Sequence, residues 1–203
     1  MAREHHAYGF DFSSARDRVV RLAEQLAIVH GLLREDRVSF DGTFYELHEA
    51  PGLNRPKLPI LVGGSAKPGT TTPGVRFADE YNTLFATVDE IRERKRRLDE
   101  ACERTGRDPA TLRYSLMAPC VIGEDDAAVR ESARRIGERF GRDPGEVLER
   151  YGERGPVGTV AQVVDRLREI EQIGYERVML QHLVHTDLET VALIGRELVP
   201  AVA

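Results

Sequence analysis

Residues 59–68 read PILVGGSAKP. Ile60, Leu61 and Val62 form a short apolar run with no polar residue between them, and Gly63-Gly64 ends it, which is the pattern of a buried strand closed by a tight turn. Working upstream, residues 51–59 are rich in proline and glycine and form a linker. Before it, Val38 and Phe40 precede Asp41-Gly42, and Thr43 to Leu47 follow, so a hairpin with a two-residue turn is expected as a local insert. Earlier still, Ser14 stands three residues before Asp17, and Val19, Leu22, Leu26, Val29 and Leu33 recur at helical spacing, which predicts one long amphipathic helix.

Downstream the alternation continues. Asn82 to Phe85 reads as a strand, and Thr87 with Glu90 makes a capping box for a helix through Ile91, Leu98 and Cys102 that stops at Gly106. Leu112 to Ile122 reads as a strand, and Val129, Ala133, Ile136 and Phe140 mark a helix closed by Gly141. Thr159 with Gln162 opens the next helix, which runs to Gly174 and is followed by a strand at Val178 to Leu180; Thr186 with Glu189 opens a last helix. In the stretch 67–75, KPGTTTPGV, Pro73 and Gly74 weaken a helix after the Gly-Gly turn. Strands alternating with helices predict an α/β fold on a parallel sheet, and both doubly wound sheets and closed barrels satisfy that alternation. About four main strands are counted, where a barrel needs eight.

Composition narrows the class. With 203 residues, 41% hydrophobic and 31% charged, the chain suits one globular domain. A net charge of -5 leaves no basic field for a polyanion, so no nucleic-acid partner is expected. No stretch reaches the roughly 18 apolar residues that span a bilayer, and the first ten residues have no signal-peptide core, so a cytoplasmic protein without a membrane partner is expected. Cys102 and Cys120 lack CxxC spacing and read as reduced, packed thiols.

Four segments carry a family resemblance: REHHAYGF (3–10), PILVGGSAKP (59–68), RFADEYN (76–82) and GTVAQVVDRLREIEQIGYERVMLQHL (158–183). In this order they resemble the luciferase-like monooxygenase superfamily, in its branch dependent on the deazaflavin coenzyme F420. The resemblance implies the C-terminal half of a TIM-type (β/α)8 barrel: four parallel strands with their helices and the hairpin insert, a single luciferase-like domain over 1–203 truncated at its N-terminus. The family's first four strands, which carry its flavin-ring pocket, have no counterpart in the sequence, so no catalytic residue is assigned. Met1 falls close to the end of the family's fourth strand, which also suggests an internal start of a longer functional chain.

For the site, the resemblance implies that Gly63 and Gly64 contact the coenzyme phosphate, at a strand's carboxyl end where glycine lets backbone N–H groups approach closely. Taken alone, a Gly-Gly pair is a plain turn. Ser65 adds a hydroxyl donor to the phosphate or caps the next helix, and both readings stand. His5 and Tyr8 are implied to line the substrate mouth, with Glu4 orienting a neighbour; the residues by themselves read equally as a surface loop. His182 and His185 lack a carboxylate or cysteine at ligand spacing, so no metal is expected. Asp79 and Glu80, adjacent on a strand, point to opposite faces and cannot share one reacting atom, so Asp79 is given a structural hydrogen-bonding role. The basic run 92–97 is interleaved with Glu90, Glu93, Asp99 and Glu100 and reads as a solvated helix face.

The implied function is hydride transfer between coenzyme F420 and a small organic substrate, with a monooxygenase dependent on flavin mononucleotide (FMN) as the alternative cofactor reading. The third reading is a non-catalytic remnant or a subunit completed by another chain. Losing two charge-assisted donors of a phosphate cradle costs about 3–6 kcal/mol, or about a hundredfold to ten-thousandfold in affinity. Open sheet edges favour self-association, which makes a homodimer an expected form.

Overall fold

The computed structural model describes residues 2–53 and 58–203; the centre of the 51–59 linker lies outside them. A short helix α1 (Ala2–Ala7) precedes α2 (Ala15–Arg34), whose first turn is capped as its sequence predicts: the Ser14 hydroxyl accepts from the Asp17 N–H at 3.1 Å. Leu26 and Leu33 are buried along α2, whereas Val29, expected on the same face, is 44% exposed.

Strands β1 (Arg37–Asp41) and β2 (Glu46–Pro51) form the antiparallel hairpin, but its connection is longer than the two residues expected. Asp41 pairs with Glu46, so residues 42–45 make the loop. The Glu24 carboxylate, reaching over from α2, accepts from the backbone N–H groups of Thr43 (2.7 Å), Phe44 (2.9 Å) and Tyr45 (3.1 Å). Burial disfavours its charge, yet those backbone donors and the Thr43 hydroxyl outweigh that and hold its pKa below the usual glutamate range. A distant carboxylate, invisible to a local turn rule, therefore sets the loop length.

The main sheet is parallel, in the order β3 (Leu61–Gly63), β4 (Glu80–Leu84), β5 (Arg113–Pro119), β8 (Arg177–Gln181). Each new strand adds on the same side of the last, with no reversal of order. A doubly wound sheet reverses at its switch point, so this progression selects a barrel segment with its helices on one face. Between the strands lie α3 (Pro68–Phe77) and α4 (Val88–Arg104), and then α5 (Asp126–Phe140), α6 (Pro144–Gly152) and α7 (Val160–Gln172).

Helix α3 forms despite the residues that weaken it. Pro73 lies inside it, and Gly74 packs so closely that an added Cβ would stand 2.8 Å from Cε2 of the Tyr81 ring. Burial of Thr71, Pro73, Gly74 and Val75 outweighs weak propensity, as tertiary packing commonly does. The capping box of α4 forms as predicted, with the Thr87 N–H donating to Glu90 and the Glu90 N–H to the Thr87 hydroxyl. At α7 the Thr159 N–H donates to Gln162 at 2.8 Å. Gly141 closes α5 in the left-handed region at φ 64°.

Three further corrections concern the carboxyl-terminal part. The strand expected over Leu112–Ile122 breaks at Cys120: β5 stays in the main sheet, and β6 (Val121–Gly123) leaves it to pair with β7 (Val157–Thr159). Helix α6, which the sequence reading left without an element, starts at Pro144 behind an Asp143 cap. The helix expected after Thr186, α8 (Leu188–Leu193), is capped by Asp187 instead, because the Asp187 carboxylate accepts from both the N–H and the hydroxyl of Thr190 and pairs with Arg135 at 3.0 Å. The chain ends in a π-helical turn at Ile194–Leu198 and helix α9 (Val199–Val202). Cys102 and Cys120 are free and buried, as expected.

Candidate functional site

Strand alternation divides the main sheet. Tyr81 and Thr83 face the helices, where Tyr81 meets Gly74 and the Thr83 hydroxyl bonds Tyr175 at 3.3 Å. Glu80, Asn82 and Leu84 face the other side, the lumen of the barrel segment. On that face the amide of Asn82 donates to the Ser115 hydroxyl at 2.8 Å and approaches the Met179 sulfur at 3.8 Å. One level lower, at the amino ends, buried Glu80 meets Arg177 at 3.2 Å and Arg113 at 3.9 Å. The lumen is thus ionic at its floor and neutral and polar at mid-height.

At the carboxyl ends the first structure is the turn 63–67. Gly63 lies on the lumen side, where an added Cβ would find only the Asn82 carbonyl, at 3.8 Å. Gly64 donates its N–H to that same carbonyl at 2.9 Å, and a Cβ on it would stand 3.0 Å from the Tyr81 hydroxyl. Ala66 holds φ at 50°, a left-handed conformation that costs about 1–3 kcal/mol in a residue with a side chain and gathers at functional sites. Lys67 then starts α3 with no side-chain cap and no acid in the first turn, so the helix presents unneutralised N–H dipoles toward the turn. Ser65 is exposed and makes no capping bond to α3, which removes the capping reading of its hydroxyl.

The Tyr81 hydroxyl lies fully buried beneath this turn and forms no hydrogen bond among the described residues; Thr70 and the Ala66 backbone are polar neighbours outside bonding geometry. Burial raises its pKa, with Thr70, Ala66 and Arg94 opposing.

Across the mouth, Phe85 follows β4 with φ 38°, its N–H bonded to the Met117 carbonyl and its own carbonyl held by Arg154 at 3.1 Å. Arg154 also pairs with Glu90 at 3.1 Å. Gln181 ends β8, and His182 beyond it contacts the Asp187 carbonyl at 3.1 Å, so that histidine ring is engaged in local structure. No group of His, Cys, Asp and Glu suited to a metal occurs among the described residues.

Asp79 takes the structural role expected of it, accepting from the Ile60 N–H at 2.7 Å and from Arg34 at 2.8 Å, which staples α2 to the entry of β3. In α1, His5 packs edge-on against Phe12 at 4.9 Å, and Tyr8, in the turn just after that helix, is 79% exposed. The 92–97 run is a solvated face only in part: Arg92 and Arg96 are exposed, with Arg96 bonding Glu93 and Glu100, whereas Arg94 is 12% exposed and donates to the Leu84 carbonyl at 2.7 Å, and Lys95 lies over the Tyr114 ring. Sequence reasoning missed Lys67, Phe85, Arg154 and Gln181. Strand alternation signals Gln181 once its register is known, and no local signal marks the others.

The model of a known family, luciferase-like monooxygenase, matches residues 2–156. The chain belongs to the luciferase-like monooxygenase family. Among its relatives, an F420-dependent glucose-6-phosphate dehydrogenase of Kineococcus radiotolerans is 31% identical over 131 residues, covering 63% of this chain and 39% of that one. The enzyme of the same description from Microbacterium testaceum is 24% identical over 219 positions, covering 95% of this chain and 63% of its own length. Among solved structures, the monooxygenase RslO1 from Streptomyces bottropensis superposes with a TM-score of 0.77 at 20% identity, over 99% of this chain and 66% of that one. The chain therefore spans less than two thirds of the curated relatives it matches, and its open four-stranded sheet is half of a luciferase-type (β/α)8 barrel. Among the described residues, no helix is long and apolar enough to cross a membrane.

Proposed function

We propose that this chain carries the coenzyme-phosphate half of an F420-dependent oxidoreductase, in which hydride passes between the deazaflavin and a small organic substrate. The observation that carries the reading is the turn 63–67: an exposed Gly63 with open space on the lumen side, an uncapped α3 without acidic neutralisation, and the Lys67 cation, all at strand carboxyl ends. These residues fit a phosphate, and F420 is the coenzyme in the names of the relatives above. Gly63 and Ser65 would hold that phosphate through backbone N–H groups and the Ser65 hydroxyl, with Gly64, whose N–H is already given to the Asn82 carbonyl, letting the backbone come close and Lys67 adding charge. The bound deazaflavin supplies the hydride chemistry; the protein supplies anchoring and orientation.

His5 and Tyr8 remain the candidates for the substrate mouth, supported by their place in the 3–10 segment and by the exposure of Tyr8. The same reading takes 1–203 as one domain, places it in the cytoplasm with both thiols reduced, and provides for a homodimer through the sheet edges β3 and β8. The test is equilibrium binding of F420 and FMN followed by fluorescence, on the purified chain at known mass. Micromolar F420 binding that weakens in Gly63→Ala supports the reading, tighter FMN binding transfers it to the flavin monooxygenase branch, and no binding of either below millimolar sinks it for this chain.

A further inference from the structure

Helix α6, the short helix absent from the sequence reading, brings side chains to the mouth from a direction the phosphate turn does not cover. A cavity of about 410 Å³ opens between it and the strand ends, lined by Phe85, Arg150, Tyr151, Arg154 and Gln181. The two arginines differ in what they already do. Arg154 is committed to the Phe85 carbonyl and to Glu90. Arg150 makes no hydrogen bond or ion pair among the described residues, and neither does the Tyr151 hydroxyl or the Gln181 carboxamide.

Three polar groups of different character thus face one cavity with no partner among the described residues. A guanidinium offers a planar fork of donors matched to two oxygens of one oxyanion. A phenol and a carboxamide each donate and accept, which suits hydroxyl or carbonyl groups next to that anion. The helix bearing two of these groups is firmly seated: Val147 is fully buried with Val121, Ala133 and Ile136, and the Tyr151 ring packs on the same cluster. Phe85 is fixed by its bonds to Met117 and Arg154, and Gln181 by its strand. The cavity walls are therefore preorganised, while Arg150, an exposed residue lining them, carries a charge with no partner among the described residues.

Resting on the oxidoreductase reading above, we infer that this cavity is the substrate subsite for an oxyanion, so that the substrate is a small hydroxylated organic acid or phosphate ester whose anionic group is held by Arg150. Tyr151 and Gln181 take its neighbouring oxygens, and Arg154 is the positioning residue that shapes the wall through Phe85. The shared chemistry of carboxylate and phosphate is the oxyanion, and the probes separate the two.

The test is a heteronuclear NMR titration of the intact chain with methyl phosphate, with glycolate and with neutral ethanediol. The inference expects anion-dependent shifts at Arg150, Tyr151 and Gln181, weakened about tenfold or more in Arg150→Gln and unchanged in Arg130→Gln, an exposed arginine on α5. A stronger response to methyl phosphate names a phosphate ester, and a stronger response to glycolate names an acid. An equal response to ethanediol, no response, or shifts confined to residues 63–67 overturns it. Shifts confined to 63–67 leave the coenzyme reading standing, whereas anion binding at Arg150 without any F420 binding removes the coenzyme reading alone.

Discussion

Replacing Gly64 with alanine tests whether packing fixes that glycine. The new methyl would stand 3.0 Å from the Tyr81 hydroxyl, and the Tyr81 ring is fully buried between β4 and α3, with Gly74 already against it. Overpacking of this kind costs about 1–3 kcal/mol. The narrower unfolded ensemble of alanine returns about 0.4–1 kcal/mol, since Gly64 does not need a positive φ. The net loss of up to about 2.6 kcal/mol lowers Tm by up to about 10 °C in a domain of this size. Tyr81→Phe removes a buried hydroxyl that makes no hydrogen bond among the described residues, so alone it is neutral or stabilising. In the double variant the methyl meets only ring carbon, 3.9 Å away at Cζ, and the two changes couple by about 1 kcal/mol or more. Urea denaturation of the four proteins measures the cycle, and simple additivity would refute the contact as the reason for glycine. Gly63→Ala is the control: its methyl has open space, so stability holds within about 0.5 kcal/mol while F420 affinity falls.

Asp79→Ala leaves the Ile60 N–H and Arg34 without their acceptor; because both side chains are partly exposed, the loss is about 1–2 kcal/mol, read as a lower urea midpoint. Burial opposes the charge on Asp187, but the Thr190 N–H and hydroxyl and Arg135 outweigh it and depress its pKa below the ordinary 3.8. Its contribution is therefore full above pH 3.8 and is lost as pH falls through the depressed folded value, so Asp187→Asn is less stable at neutral pH and the gap closes in acid. Burial pushes the Cys120 thiol up to about 12 and also raises Cys102, so Ellman's reagent at pH 8 modifies neither until urea unfolds the chain; a fast native thiol would contradict the packing.

The parts of the fold written in local chemistry were legible. Ser14, the Thr87–Glu90 box and Gly141 act within one helical turn of themselves, and the short run 60–62 announces its strand by composition. What was hidden depends on contacts distant in sequence. The hairpin loop follows Glu24 from another element, α3 survives Pro73 because Tyr81 receives its glycine face, and β5 gives way to β6 because β7 offers a new partner. The same split runs through the site: Gly63-Gly64 is a contiguous word, whereas Arg150, Tyr151 and Gln181 reach one cavity from a helix and a strand separated by β7 and α7.

Helix α6 rests on its own apolar cluster around Val121, Ala133, Ile136 and Val147, distinct from the large core that binds β3, β4 and β5 to α2, α3 and α4. Evolvability follows from that partition. Mutations on the mouth-facing side of α6 can reshape the cavity there without disturbing the interior on which the sheet depends, so a lineage can vary that surface at little risk to foldability.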